Sequence, residues 1–314
     1  MHAEEARELL SVVSPVHNEE EGIALFVTRL RAACAGLDVD LEVVLVDDGS
    51  TDASWSRIVD LVKSEGDLKG FRLSRNFGKE AAVMCGITNA QGDAVIVMDS
   101  DLQHPPKVVP ELVAAWRSGF DVVEGVKRTR TGQSLLGQWA SRLFNRLFRV
   151  GTGVDLTDAT DFRLLSRPAV DALLELPERA TFFRGISTWI GFPRTVVAFD
   201  VDDRASGTSK WGLRSLLRLG LNAVTAFTSA PLHLVSIAGV VFAALSAILG
   251  LQTLYRWATG EAIVGFTTVI LLMLVQGSLI LLGLGVIGEY LARIHDEAKR
   301  RPRFIVSERA ERDL

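Results

Sequence analysis

The stretch VVLVDDGSTD, residues 43–52, decides the fold. Four apolar, mostly β-branched residues run straight into Asp47, Asp48, Gly49 and Ser50, with Thr51 and Asp52 placed to cap a following helix. This pattern predicts a buried strand that ends in a polar turn. An acid there can accept from a ribose hydroxyl or a base N–H, and Gly49 would let backbone approach a ligand closely. An ordinary Asp-Gly turn with a helix cap reads the same way in isolation. A second stretch, VIVMDSDLQHPP (95–106), repeats the design. Asp99 and Asp101 are two apart, so on a strand they share one face. A pair of carboxylates of this kind suits a hard divalent cation whose remaining positions are completed by substrate phosphates. Gln103 would add a neutral oxygen, and Pro105 and Pro106 would stiffen the turn and start the next helix. His104 reads equally as a metal or phosphate contact and as a structural turn residue.

Outward from these two stretches, residues 9 to about 125 alternate between two periodicities. The β-rich runs LLSVVSPV, LEVVLVDD, GFRLS, AVIVMDSD and DVVEGV are separated by helix-like segments at 19–35, 52–65, 78–90 and 106–118. That order predicts an α/β fold, a Rossmann-like, doubly wound and mainly parallel sheet. Ligands of such sheets bind beyond the carboxyl ends of the strands. Asn18 and Glu19, Asp47 and Asp48, and Asp99 and Asp101 all fall there. No Gly-x-Gly-x-x-Gly follows the first strand, which argues against a dinucleotide-dependent dehydrogenase. Further on, ATDFRLLSRPAV reads as a strand entering a helix, and residues 132–150 as an amphipathic helix.

The last third differs in kind. Residues 232–254 and 263–287 carry no charge, and each is long enough to cross a hydrocarbon layer of about 30 Å as a helix. The connecting turn holds only Arg256. Arg204, Lys210, Arg214 and Arg218 precede the first span, and Arg293, Lys299, Arg300, Arg301 and Arg303 follow the second. This asymmetry predicts a multi-pass membrane protein with both termini cytoplasmic. The expected organisation is a cytoplasmic catalytic domain over 1–207, an amphipathic interface helix over 208–229, a transmembrane hairpin over 232–292 and a cytoplasmic tail over 293–314. The tail segment RPRFIV could add a strand to its own domain or to a neighbour's, which leaves a homo-oligomer open. A formal net charge of -4 over 314 residues gives no reason to expect a nucleic-acid partner, and two cysteines without metal-ligand spacing read as reduced buried thiols.

Six segments occur together and in order: VVSPVHNEEE, VVLVDDGSTD, RNFGKEAAVMCGI, VMDSDLQHPP, DFRLLSRPAV and RASGTSKWGL. In this the chain resembles the family-two glycosyltransferases of GT-A fold, and within them the bactoprenol glucosyltransferases and dolichol-phosphate mannose synthases. The resemblance implies transfer of a hexose from a UDP-sugar to a polyprenyl phosphate at a membrane, with Mg²⁺ or Mn²⁺ as cofactor. It implies a nucleotide-sugar pocket from Pro15, Asn18, Glu19, Asp47, Asp48, Ser50, Lys79, Asp99, Ser100 and Arg204. It places the metal on Asp99, Asp101 and Gln103, and catalytic roles on Asp101 and Asp161, the latter matching the acid usually proposed as the base. It assigns the acceptor phosphate to Lys127, Arg128, Arg130, Ser209 and Lys210. Arg75, Asn76 and Gly78 would lie near the donor. A phosphate monoester has its second pKa near ~6, so its oxygen needs a base less than a sugar hydroxyl does. Asp161 is therefore expected to orient arginines or the hexose as much as to take a proton.

Overall fold

In the computed structural model, residues 7–128, 160–176, 183–200, 230–259 and 266–312 are described. They fall into two compact units: the N-terminal part together with the residues from 302 onward, and the two long helices between them.

The first unit is built on one eight-stranded sheet. In chain order its elements are β1 (Glu8–Val16), α1 (Ile23–Cys34), β2 (Val39–Asp47), α2 (Ser54–Ser64), β3 (Leu68–Leu73), α3 (Lys79–Asn89) and β4 (Ala94–Val97). A 3₁₀ turn (Pro106–Val108) leads into α4 (Val109–Arg117), followed by β5 (Val122–Lys127), β6 (Arg163–Ser166), α5 (Arg167–Glu175), α6 (Phe183–Trp189) and β7 (Arg194–Phe199). The strand order is β7-β5-β6-β4-β1-β2-β3-β8, where β8 (Val306–Ala310) comes from the far end of the chain. β1 pairs in parallel with both β2 and β4, so the order reverses at β1 and opens a crevice between the β1 and β4 loops.

Burial explains the strands. β4 is buried along its whole length, and β2 from Glu42 to Asp47, because helices cover both faces of a parallel sheet. α1 presents Ile23, Phe26, Val27, Leu30 and Cys34 to the core at helical spacing. Both cysteines are buried and free, and burial pushes the Cys34 thiol up to about 11 and the Cys85 thiol up to about 12, which leaves them inert.

One feature departs from the sequence reading, and two add to it. β4 stops at Val97, so Asp99 and Asp101 lie in the turn beyond it, not on one strand face. The sheet is mixed: β6 runs antiparallel to β4 and β5, and β8 antiparallel to β3. β7, RTVVAF, mixes polar and apolar residues without a period-two pattern in its sequence, although its burial alternates, and among the described residues it pairs with β5 at the edge of the sheet. The tail strand starts only at Val306, the last residue of RPRFIV, and runs through VSERA, pairing antiparallel with β3 of its own sheet. Glu308 there accepts from Trp55 Nε1 (3.0 Å) and pairs with Arg72 (2.7 Å).

The second unit contains α7 (Ala230–Ala258) and α8 (Phe266–Ala298). Both are long and apolar enough to cross a membrane, over Val235–Thr253 and Val275–Ala292. Val240, Leu251, Met273 and Leu281 stand exposed. A core helix of a soluble domain would have such side chains covered. The amphipathic segments 132–150 and 208–229 lie outside the described residues.

Candidate active site

The loops after β1, β2, β3 and β4 meet at the switch point of the sheet. On the β1–β2 side they are stitched by hydrogen bonds. Asn18 N–H donates to Ser50 Oγ (3.0 Å), and Asn18 Oδ1 accepts from Thr51 N–H (2.9 Å). Asn18 is held at φ 55°, in the left-handed region that asparagine tolerates. Asp47 Oδ1 accepts from Ser50 N–H (3.0 Å), while its other oxygen faces Arg72 Nε at 3.3 Å. Asp48 accepts from the amides of Phe77 (2.7 Å) and Gly78 (2.9 Å). Burial raises the Asp48 carboxyl above its ordinary pKa, and these two amides work against that.

Gly49 has a task that the sequence did not suggest. At φ 67° a Cβ there would lie 2.6 Å from Arg75 C and Asn76 N, so the chain's own RNFGK loop packs directly against Gly49. Asp48 and Gly49 together seat that loop and deliver Lys79, the first residue of α3, to the other side of the crevice.

That other side is held by charge. The Lys79 ammonium lies 2.6 Å from Asp99 Oδ1, 2.7 Å from Asp99 Oδ2 and 2.7 Å from Asp161 Oδ2. Asp161, just before β6, is buried and takes Arg184 of α6 in a two-pronged pair, Nε to Oδ1 at 2.5 Å and Nη2 to Oδ2 at 2.8 Å. Burial alone would raise the Asp161 carboxyl, but Arg184 and Lys79 overcome it and hold the group well below the usual carboxylate range. Burial likewise opposes the Lys79 ammonium, and Asp99 and Asp161 outweigh it and raise its pKa. Glu80, next along α3, accepts from Phe183 N–H (2.9 Å) at the start of α6, and burial pushes its carboxyl up to about 7.

The DSD turn is braced from below. Ser100 is buried and donates to Pro15 O (3.3 Å). Asp101 is exposed and accepts from Gln103 N–H (3.0 Å), with Leu102 between them at φ 60°. His104 is a structural residue: its ring stacks on Phe162 (5.1 Å between centroids) and its Nδ1 accepts from Asp99 N–H (3.1 Å). Burial lowers its pKa, so it stays neutral and able to accept. Glu19 completes the rim. Burial, then Asp101, Asp52 and Asp99 in turn, raise its carboxyl, as expected where acids crowd one edge.

That crowding fits a divalent cation: Asp99 and Asp101 supply hard carboxylate oxygens, and an ammonium already stands as a cation on both oxygens of Asp99. Among the described residues no group of three His, Cys, Asp or Glu is arranged as a ready ligand set, so any metal would complete its shell with water or with oxygens of a bound substrate.

Pro15, Asn18, Glu19, Asp47, Asp48, Ser50, Lys79, Asp99, Ser100, Asp101, Gln103 and Asp161 thus border one crevice or directly support its loops. Lys127 ends β5, and Arg128 pairs with Asp200 (3.3 Å). Arg130, Arg204, Ser209 and Lys210 lie outside the described residues. Arg184 and Glu80 escaped the sequence reading. Glu80 sits beside Lys79 in RNFGKE and could have been weighed with it, whereas the partnership of Arg184 with Asp161 spans 23 residues and carries no local signal.

Residues 11–174 match the family model described as Glycosyl transferase family 2. The chain is 39% identical over 306 residues to an undecaprenyl-phosphate 4-deoxy-4-formamido-L-arabinose transferase of Aeromonas hydrophila, covering 95% of this chain and 93% of that one. It is 35% identical over 299 residues to a bactoprenol glucosyl transferase of Shigella phage SfV, covering 95% and 97%. Among solved structures, glucosyl-3-phosphoglycerate synthase from Mycobacterium tuberculosis, in complex with Mn²⁺, UDP-glucose and phosphoglyceric acid, superposes with a TM-score of 0.51 at 22% identity. It covers 69% of this chain and 78% of its own, a likeness of fold.

Proposed function

The chain belongs to glycosyl transferase family 2, and on that footing we propose that it moves a hexose, glucose first among candidates, from a UDP-sugar to undecaprenyl or another polyprenyl phosphate with inversion. The place of reaction would be the cytoplasmic face of a membrane, with both termini on that side. One observation carries this reading: a single chain joins an acid-rimmed crevice at a sheet switch point to two unburied helices of spanning length. A lipid-linked acceptor keeps its tail in the bilayer and its phosphate at headgroup level, so its enzyme has to be held there. Basic residues flanking the helices favour anionic lipid by roughly 1 kcal/mol each.

In this reading the β1–β2 side takes the nucleoside, with Asp47 and Ser50 at the base and ribose and the 75–79 loop over the donor. Asp99 and Asp101, with Gln103 beside them, would hold Mg²⁺ or Mn²⁺, which supplies electrostatic stabilisation of the leaving diphosphate when bound. An acceptor phosphate oxygen attacks the anomeric carbon in line, and the bond from that carbon to the diphosphate breaks, its electron pair leaving with UDP. Lys127, Arg128, Arg130, Ser209 and Lys210 would receive the acceptor phosphate, and Arg204 the diphosphate.

Asp161 is a positioning residue here. A carboxylate that Lys79 and Arg184 keep ionised is a poor proton acceptor, and an acceptor phosphate is already largely deprotonated at neutral pH. Its task is to hold Arg184 and Lys79 against the reacting phosphates. Transfer in liposomes with undecaprenyl phosphate and a panel of UDP- and GDP-sugars, with Asp101→Ala as control, tests the function. A lipid-linked product from one donor, absent in the control, supports it and names the sugar; no product from any donor sinks it. The 39% identity to an aminoarabinose transferase favours a second reading, transfer of a modified pentose, and that donor belongs in the panel.

A further inference from the structure

We propose that Lys79 is a built-in counter-cation for Asp99, one that a divalent metal must displace, and that Asp161 is the berth to which the displaced ammonium withdraws. The proposal rests on the reading that Asp99 and Asp101 hold the metal. A lysine ammonium has three N–H donors, and in this structure three carboxylate oxygens surround it: both of Asp99, at 2.6 and 2.7 Å, and Asp161 Oδ2 at 2.7 Å. A divalent ion bound through the same Asp99 oxygens would stand within a few ångströms of Nζ, so the two cations exclude each other at that carboxylate.

The exchange has a path. Lys79 opens α3 directly after Gly78, and its side chain is 42% exposed, so its stem is free to swing. Asp161 is only 7% exposed and is fixed from its other edge by Arg184, which stays with it while Lys79 moves. With Lys79 on Asp99, the four groups Lys79, Arg184, Asp99 and Asp161 sum to zero charge. Once the metal takes Asp99, Lys79 and Arg184 share the single carboxylate of Asp161, leaving a positive patch suited to a phosphate. Metal binding would thus create the anion site as well as the donor site, so acceptor binding should follow metal and donor.

The test is Mn²⁺ binding to the full-length protein in detergent without any sugar donor, followed by calorimetry and by loss of the free Mn²⁺ EPR signal. Lys79→Met is expected to tighten the Mn²⁺ Kd roughly three- to tenfold, the scale of releasing a partly exposed ion pair. Lys79→Arg should stay near wild type. Arg184→Gln removes a charge from the same cluster without vacating Asp99 and should shift the Kd by less than about twofold. The thermal midpoint should rise more on adding Mn²⁺ to Lys79→Met than to wild type, which also shows that the variant is folded. An unchanged or weaker Kd in Lys79→Met, or equal tightening in Arg184→Gln, overturns the proposal while leaving the metal reading intact, provided Asp99→Asn abolishes binding. If neither wild type nor Lys79→Met takes up Mn²⁺, the metal reading itself fails and the proposal goes with it.

Discussion

The two sides of the crevice are held together by different physics. On the β1–β2 side, Asn18, Ser50, Asp47, Asp48 and Gly49 lock three loops through short-range hydrogen bonds and one backbone contact too close for any side chain. On the β4–β6 side, Lys79, Asp99, Asp161 and Arg184 are joined by ion pairs, two of whose cations are about 40% exposed. Hydrogen bonds to backbone amides specify one geometry and keep it. The Lys79–Asp99 pair at the solvent edge can exchange at little cost, because water and an incoming charge can replace either member, whereas buried Asp161 keeps Arg184. A transferase that binds a common nucleotide and then rearranges charge around a phosphate can use a rigid half and an exchangeable half.

Substitutions can break that contrast, and the largest effect should come from the charged side. Asp161→Asn is expected to lower turnover by roughly 10²–10³-fold, the cost of misplacing electrostatic groups at a reacting centre, while the donor KM moves little. A large rise in donor KM instead would mean that the two sides do not divide the work. The same variant should change the response to acid. Asp161 has its pKa depressed in the folded protein, so it contributes stability above its ordinary value near 3.8 that is lost as pH falls through the lower folded value. Denaturation curves from pH 7 to pH 3 should therefore be less acid-sensitive in Asp161→Asn than in wild type.

The rigid side should answer with stability. Gly49→Ala places a Cβ against the backbone of Arg75 and Asn76 at a positive φ, and about 2–3 kcal/mol of destabilisation is expected, with a lower thermal midpoint and a raised donor KM. Asp48→Asn keeps one acceptor oxygen of the two. A smaller loss of about 1 kcal/mol should follow, with a few-fold weaker nucleotide binding by calorimetry. Full donor affinity in both variants would remove the loop from the donor site. The smallest effect concerns Glu80. Its folded pKa of about 7 lies above the ordinary 4.5, so its contribution is present at low pH and is lost as pH rises through about 7. Glu80→Gln retains an acceptor for the Phe183 amide and should flatten the stability profile between about pH 4.5 and 7. A slope identical to wild type would place the titration elsewhere.

Much of this architecture was legible one stretch at a time. β1, β2 and β4 announced themselves by apolar runs leading into acids, β3 by its apolar run alone, their helices by helical spacing, and the two long helices by their freedom from charge. What stayed hidden depended on partners distant in sequence. β7 reads poorly because its burial alternates while its residue types do not: Val196 is exposed and Thr195 is half-covered, so RTVVAF shows no apolar–polar period. The partner of β8 could not be chosen from RPRFIV, since an exposed edge accepts any strand that reaches it. Asp99 and Asp101 were paired on strand alternation, and that reason failed: β4 ends at Val97, so the two lie in the turn around Leu102.

The amino-acid sequence by itself determined the family, the doubly wound frame and the residue types at each strand end, because these follow from local periodicity and from motifs whose members lie within a few positions of one another. Only the tertiary structure decided which charges meet. Asp161 meets Arg184 and Lys79, and Lys79 also meets Asp99. The reason is that an ion pair forms between groups that the sheet order brings within 3 Å, whatever their separation along the chain, and that order is fixed by the packing of the whole domain.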